Sequence, residues 1–245
     1  MTEIFQIIDG TKEFHGVKAI TKVNFSLFKG EIHSLLGENG AGKSTMTKVA
    51  AGVYQLSSGS FVFEGKETTF INPSEALNNG VVMVFQENSL VPNMTVSQNI
   101  YLGAENFFNS LAKLNIKASR FLQSLNFNVD PNLLVSQLGA AQKQMVEIAR
   151  AVHHNAKVII FDEPTATLTP EEKHHFFGLM QRLKKEGVSI VFISHALEEA
   201  LEHSDRITVL RDGELIETDE AKNFTRERIV CLLYTSDAAD ETCRV

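Results

Sequence analysis

The hydrophobic positions of this chain fall into short runs, separated by stretches with a helical period. Four runs are mainly apolar, which is typical of strands buried on both faces of a parallel sheet; they cover residues 32–36, 81–85, 158–161 and 188–193. Between the last two runs, Thr169-Pro170-Glu171-Glu172 has the pattern of a capping box at a helix start, and Gly187 has the position of its stop. Strands that alternate with helices predict an α/β fold with a parallel core sheet.

The remaining segments depart from this alternation. Residues 4–35 carry apolar runs between polar turns, which predicts further strands of a mixed sheet and places Phe14 on a loop. Residues 95–126 have an irregular helical pattern, and Asp130-Pro131 has the composition of a turn that ends it. We therefore expect an antiparallel β subdomain and an inserted helical subdomain, at about residues 95–155, beside the core sheet.

One stretch directly after the first core run carries a complete chemical motif. Residues 37–45 read GENGAGKST and match the phosphate-binding loop pattern GxxxxGK[ST], between a predicted strand and a predicted helix. Such a loop points several backbone N–H groups at a phosphate, and the helix N-terminus adds partial positive charge. The residues expected to hold a nucleoside triphosphate are Gly37, Glu38, Asn39, Gly40, Ala41, Gly42, Lys43, Ser44 and Thr45.

Two residues of this loop have chemistry of their own. The Lys43 ammonium is expected to reach the β- and γ-phosphates, and the Ser44 hydroxyl is expected to bind Mg²⁺. A glycine turn that merely joins a strand to a helix is the alternative. A dinucleotide-binding GxGxxG pattern does not fit, because the glycines fall at 37, 40 and 42.

Two acidic residues, Asp162 and Glu163, follow the apolar run 158–161. Asp162 at the end of a buried strand is suited to bind Mg²⁺, directly or through water, and Glu163 is suited to polarise an attacking water. For Glu163 a solvated or helix-capping acid is the alternative, which spacing alone leaves open.

Composition narrows the range of partners. The chain has 245 residues and a formal net charge of −7, without a block of Lys and Arg, which argues against nucleic acid as the main partner. No apolar run approaches the length of a membrane span, and the first residues lack a signal-peptide pattern. We expect a cytoplasmic protein that is able to dock on a membrane protein.

Four further motifs follow the phosphate loop in a fixed order. They are Gln86, Leu138-Gly139-Ala140-Ala141-Gln142, Asp162-Glu163-Pro164-Thr165 and His195. In this order they resemble the ATP-binding-cassette (ABC) ATPases, a family of P-loop NTPases, over residues 1–230. The sequences at 37–45, 84–87, 144–151 and 192–195 are similar to the ribose/galactose-type sugar importers, in particular to the first of their two fused ATPase halves.

The resemblance implies roles for individual residues. Phe14 would stack on the adenine, and Gln86 would contact Mg²⁺ and the lytic water and link the site to the membrane subunit. Glu163 would be the catalytic carboxylate, residues 165–169 the D-loop, and His195 the switch histidine at the γ-phosphate. The signature residues that would bind the nucleotide of an opposing half are Gly139, Ala140, Ala141 and Gln142.

The resemblance also implies cofactors and partners. ATP and Mg²⁺ would be bound, and ATP hydrolysis would drive import of a monosaccharide through membrane permease subunits on the inner face of the membrane. The second ATPase would be another half or a second copy, and a periplasmic sugar-binding protein would take part indirectly.

One residue departs from the family pattern. Gly139 stands where the signature has a serine, whose hydroxyl contacts the γ-phosphate of the opposing half. The backbone N–H groups of residues 139–141 remain available for binding. We expect slower hydrolysis at the site that this signature completes.

The C-terminal residues carry a second departure. Residues 231–245 resemble the conceptual translation of a sequencing adapter, at the point where the family continues into its second ATPase half. We therefore expect the ATPase domain to cover residues 1–230 and the tail to be non-native; a terminal helix of ordinary origin is the alternative.

Other functions fit the motifs less well. A soluble ABC-type ATPase acting on ribosomes or DNA is expected to carry basic stripes or long coiled-coil insertions, and neither occurs here. Glu163 and His195 argue against a non-hydrolysing regulatory module that only binds ATP, although Gly139 argues weakly for it.

Overall fold

The computed structural model describes residues 2–85, 89–103, 111–154 and 156–234. These ranges contain the following strands and helices. The strands are β1 (Glu3–Phe14), β2 (Val17–Phe28), β3 (Ile32–Leu36), β4 (Ser58–Phe63), β5 (Lys66–Glu67), β6 (Val81–Val84), β7 (Val158–Asp162), β8 (Ser189–Ile193), β9 (Arg206–Arg211) and β10 (Glu214–Glu220). The helices are α1 (Lys43–Ala50), α2 (Pro73–Asn78), α3 (Val96–Ile100), α4 (Leu111–Ser124), α5 (Ala140–His153), α6 (Pro170–Lys185), α7 (Leu197–His203) and α8 (Arg226–Tyr234).

The strands form two separate sheets. A four-stranded antiparallel sheet has the order β2-β1-β4-β5, and a six-stranded sheet has the order β10-β9-β3-β8-β7-β6. In the larger sheet only β10 is antiparallel to its neighbour, while the other five strands run parallel. This arrangement confirms the predicted α/β fold with a mixed core sheet and an antiparallel β unit. Parallel neighbours require crossover connections, and helices supply them here.

The core strands are apolar on both faces because both faces are covered. Alternate residues such as Phe161 and Phe192 pack on the side of α3, α4, α5 and α6. The residues between them, such as Ile160 and Val191, pack toward α1 and the antiparallel sheet. This two-sided burial accounts for the continuous apolar runs. A strand with one face in solvent would instead alternate between apolar and polar residues.

Helix α6 begins where the sequence predicts it. Thr169 caps the helix by accepting a hydrogen bond from the Glu172 N–H, and the Glu172 carboxylate accepts from the Thr169 N–H at 2.8 Å. Gly187, just beyond the helix, has a φ of 91°, as expected for the residue that ends it.

The predicted loop at Phe14 is wrong. Phe14 is the last residue of β1 and pairs with Val17 across a two-residue turn, His15-Gly16. Both turn residues have positive φ, which matches the twist of a tight hairpin. The last residues of β1 are more exposed than its centre. Because exposed strand residues need not be apolar, the hydrophobic pattern did not show that the strand continues to Phe14.

Two predicted boundaries stay predictions. Helices α3, α4 and α5 lie in the range 95–155 proposed for a helical subdomain, and α3 packs against both of the others. At the C-terminus, α8 crosses the predicted boundary at residue 230, and Leu233 is buried with Leu36 of β3. Residues 235–245, most of the predicted tail, lie outside the described residues.

We expect Phe161→Ala to destabilise the protein by about 3–5 kcal/mol, because the fully buried ring packs edge-on against Phe176 at a centroid distance of 5.1 Å. Unfolding in urea, followed by circular dichroism, measures this loss. Ile116→Ala on α4 removes an apolar side chain that is 56% exposed and should change stability little. Equal midpoints for the two variants would contradict the assignment of Phe161 to the core.

Candidate functional site

The predicted chemistry gathers at one edge of the parallel sheet. Because β3, β7 and β8 run parallel, the segments that follow their carboxyl ends emerge side by side. A cavity of about 490 Å³ lies there. Its lining consists of residues 39–45 of the phosphate loop together with Glu163 and His195. The fold therefore brings together residues that are far apart in sequence.

The loop has its shape because two positions accept only glycine. Gly42 has a φ of 98°, and a Cβ on it would lie 2.6 Å from Ile20 Cγ2 and 2.7 Å from the Ala19 carbonyl oxygen. A Cβ on Gly37 would lie 2.5 Å from the Leu210 carbonyl oxygen. The loop thus packs directly against the neighbouring backbone, and Gly42 is the N-cap of α1, whose first residues line the cavity.

Lys43 is a buried cation inside this loop. Its ammonium group donates hydrogen bonds to the carbonyl oxygens of Gly37 at 2.7 Å and Glu38 at 2.9 Å. Burial lowers the pKa of Lys43, and the carboxylates of Glu163 and Asp162 oppose this effect. The loop therefore holds a positive charge between its own carbonyl groups and two acids.

Ser44 and Asp162 form a pair of oxygen donors beside the loop. The Ser44 hydroxyl lies 3.5 Å from Asp162 Oδ1. Burial raises the pKa of Asp162, which the hydrogen bond from Ser44 partly offsets. Mg²⁺ takes oxygen ligands and commonly uses only one or two carboxylates, with phosphates completing the shell. The donor set fits this ion, and the described residues contain no group of three or more His, Cys, Asp or Glu arranged for a metal.

Glu163 and His195 contact each other in the wall of the cavity. The Glu163 Oε1 lies 2.5 Å from His195 Nε2. Glu163 has a φ of 53°, in the left-handed region, and its N–H donates to the carbonyl oxygen of Ile193 at 3.1 Å. A non-glycine residue in this region carries backbone strain, which often marks a functional position. The turn that follows β7 thus brings the Glu163 carboxylate into contact with the His195 ring.

The signature residues lie elsewhere. None of Gly139, Ala140, Ala141 and Gln142 lines the cavity at the phosphate loop. Gly139 precedes α5 without a side chain to cap it, and its own N–H donates to the Gln142 side chain at 3.2 Å. Both Gly139 and Ala140 are exposed. The structure thus presents this segment to solvent, apart from the chain's own phosphate loop.

Phe14, predicted to stack on adenine, does not line this cavity. The Phe14 ring is half-buried, contacts Tyr54 edge-on at 4.9 Å between centroids and lies under the Lys12 ammonium. Adenine stacking by Phe14 stays a prediction. Gln86, predicted to contact Mg²⁺ and water, lies outside the described residues.

Sequence reasoning missed Glu199. Its carboxylate accepts hydrogen bonds from Thr165, in the predicted D-loop, and from Ser194, which precedes His195. The only sequence signal is an acidic residue on the helix just after His195, which many surface helices also carry.

A sequence profile of the family described as "ABC transporter" matches residues 20–166, more than half of the chain. The chain belongs to the ABC transporter family. It is 41% identical, over 94% of its length, to a putative ribose/galactose/methyl galactoside import ATP-binding protein of Halalkalibacterium halodurans. It is 43% identical, again over 94% of its length, to a xylose import ATP-binding protein of Thermoanaerobacter pseudethanolicus.

This ABC cassette spans about half the length of the curated relatives that it matches, 45% of the first and 46% of the second. Among solved structures it is similar to a nucleotide-free ATP-binding cassette from an ABC transporter, with a TM-score of 0.82 and 28% identity. That match covers 96% of this chain and 100% of the other. Among the described residues, no helix combines the length and hydrophobicity needed to cross a bilayer.

We expect Gly42→Ala to weaken Mg-ATP binding by about tenfold or more, because the added Cβ collides with β2 and the positive φ disfavours alanine. Titration with a fluorescent ATP analogue measures the affinity. Gly178→Ala on α6 adds a Cβ that meets nothing within 4 Å and serves as the matched control. Unchanged affinity in Gly42→Ala would contradict the requirement for glycine at this position of the loop.

Proposed function

We propose that this chain binds Mg-ATP at its phosphate loop and hydrolyses it as the energy-coupling subunit of a monosaccharide importer. One observation carries the proposal: the phosphate loop, Glu163 and His195 line a single cavity although they come from three different strand ends. The names of the relatives supply the transport context.

The residues divide the work by their chemistry. Ser44 and Asp162 would hold Mg²⁺, which would supply positive charge next to the phosphates. Lys43, which donates to the carbonyl oxygens of Gly37 and Glu38, would donate to phosphate oxygens in their place. Glu163 accepts a proton from the attacking water. His195, in contact with Glu163, keeps that carboxylate oriented and donates toward the γ-phosphate.

The site requires a second cassette in this proposal. Gly139 and Ala140 of the signature are exposed, and none of its residues lines the cavity at the chain's own phosphate loop, so the segment is able to complete the loop of another cassette. A related ATP-binding cassette, 25% identical with a TM-score of 0.79, has a dimeric structure bound to ADP and Pi; it aligns with 90% of this chain and all of that one. The partner is a second ATPase half or a second copy of this chain.

The transport role places the cassette on the cytoplasmic face of a membrane, bound to permease subunits. A sugar-binding protein outside the membrane would deliver the substrate to those permeases. The excess of acidic residues, 30 against 23 basic ones, supports this role over a cassette that acts on nucleic acid.

We expect Glu163→Gln to keep Mg-ATP binding and to lower hydrolysis by about 100-fold or more, because the amide cannot take a proton from water. Lys43→Ala should weaken binding itself, because it removes the cation at the phosphates. Phosphate release, with each variant supplied with the same partner cassette, measures both effects. Glu171→Gln, an exposed acid on α6, is the matched control. Equal rates for wild type and Glu163→Gln would refute the role of Glu163.

Gly139→Ser should raise turnover at the composite site by about tenfold, since the serine hydroxyl adds one charge-assisted hydrogen bond to the γ-phosphate. The substitution fits, because a Cβ at this position meets nothing within 4 Å. Gly139→Ala adds the same Cβ without the hydroxyl, so the serine variant should exceed the alanine variant. A serine variant no faster than the alanine variant would mean that backbone groups suffice.

A further inference from the structure

One carboxylate outside the cavity joins the two segments that carry its chemistry. Glu199 lies on α7, and its side chain is only 11% exposed. Its Oε2 accepts one hydrogen bond from the Thr165 hydroxyl and one from the Ser194 hydroxyl, each at 2.8 Å. Its Oε1 accepts from the Lys173 ammonium of α6, also at 2.8 Å. A single side chain thus receives donors from three different elements.

The two hydroxyl donors occupy informative positions. Thr165 is buried two residues after Glu163, and the Leu168 N–H donates to its carbonyl oxygen at 3.2 Å. Ser194 is buried directly before His195, and its Oγ also accepts from the Ala196 N–H at 3.0 Å. Glu199 therefore ties the start of the D-loop segment to the segment that presents His195.

The contacts suit an ionised carboxylate. Burial alone would raise the pKa of Glu199, but the hydrogen bonds from Lys173, Thr165 and Ser194 outweigh it and lower the pKa. An ionised carboxylate only accepts hydrogen bonds, so both hydroxyls must donate to it and their orientations are fixed.

We propose that Glu199 is a positioning residue for hydrolysis: through Thr165 and Ser194 it holds Glu163 and His195 in register across the cavity. It does not line the cavity itself and acts only through its neighbours. The inference rests on the proposed ATP hydrolysis. Because the phosphate loop makes no contact with Glu199 among the hydrogen bonds of the described residues, nucleotide binding should not depend on it.

The adjacent acid on the same helix supplies a matched control. Glu198 is 67% exposed and pairs with Arg226 at 3.3 Å on the surface. Glu198→Ala therefore removes a carboxylate and an ion pair from α7 without touching Thr165 or Ser194. Glu199→Gln keeps one oxygen acceptor for the two hydroxyls and gives up the anionic partner of Lys173.

The first readout separates turnover from binding and folding. Glu199→Ala should lower kcat by about tenfold to a hundredfold, with the Kd for Mg-ATP close to that of Glu198→Ala. Its Tm should fall, because three donors lose their acceptor, so kcat and Kd are measured well below the Tm of each variant. Glu199→Gln should fall between Glu199→Ala and wild type, and the double variant Thr165→Val/Ser194→Ala should reproduce the loss in Glu199→Ala. A kcat equal to that of Glu198→Ala, or a fall in kcat that is matched by equally weaker binding of Mg-ATP, would overturn the inference.

The second readout does not depend on hydrolysis. Hydrogen–deuterium exchange of the full chain follows the amides of Leu168 and Ala196, one in each segment. In Glu199→Ala both should exchange faster than in Glu198→Ala, because the shared anchor is gone. Faster exchange in only one segment, or in neither, would overturn the link. A wild-type chain without ATPase activity, even with a partner cassette, would instead refute the proposed function and leave this readout to decide the link.

Discussion

The parallel pairing of β3, β8 and β7 is the constraint on which the site depends. Each pairing fixes the register of its strands, so the residues after Leu36, Asp162 and Ile193 leave the sheet at one edge. The Glu163 N–H extends this pairing by one step beyond the sheet, through its hydrogen bond to the Ile193 carbonyl oxygen. Because both faces of these strands are closely packed, a slip in register would disrupt the side-chain packing on each face. Core packing therefore determines the distance between the phosphate loop and the acids.

Charge at this edge is balanced locally. Lys43 lies between loop carbonyl groups and the two acids. Burial lowers the pKa of Lys43 and raises the pKa of Asp162, which favours the neutral form of each group. In the proposed function, a phosphate would bring negative charge, and Mg²⁺ would bring positive charge, to groups that folding has already desolvated. Such preorganisation lets a site act on its ligand without a large rearrangement of its dipoles.

The parts of the site that are contiguous in sequence were predictable, and the parts that fold from distant segments were less so. The phosphate loop was read completely because its glycines, lysine and serine lie within nine residues of each other. The buried strands were predicted because both of their faces are apolar. The end of β1 at Phe14 was not predicted, because exposed strand residues carry no hydrophobic signal. Glu199 was missed because its partners Thr165 and Lys173 are 34 and 26 residues away, and hydrogen bonds at such separations leave no local pattern.

The left-handed backbone at Glu163 restricts which exchanges this position can accept. Asparagine, aspartate and glycine tolerate a φ of 53°, whereas valine, isoleucine and threonine do not. If Glu163 acts as proposed, a change to one of the first group would remove or shorten the carboxylate while leaving the turn intact. The result would be a folded cassette without the proposed proton acceptor. A change to valine, isoleucine or threonine would also strain the backbone directly after β7. The backbone geometry of Glu163 thus separates substitutions that would affect only the proposed chemistry from substitutions that would also strain the fold.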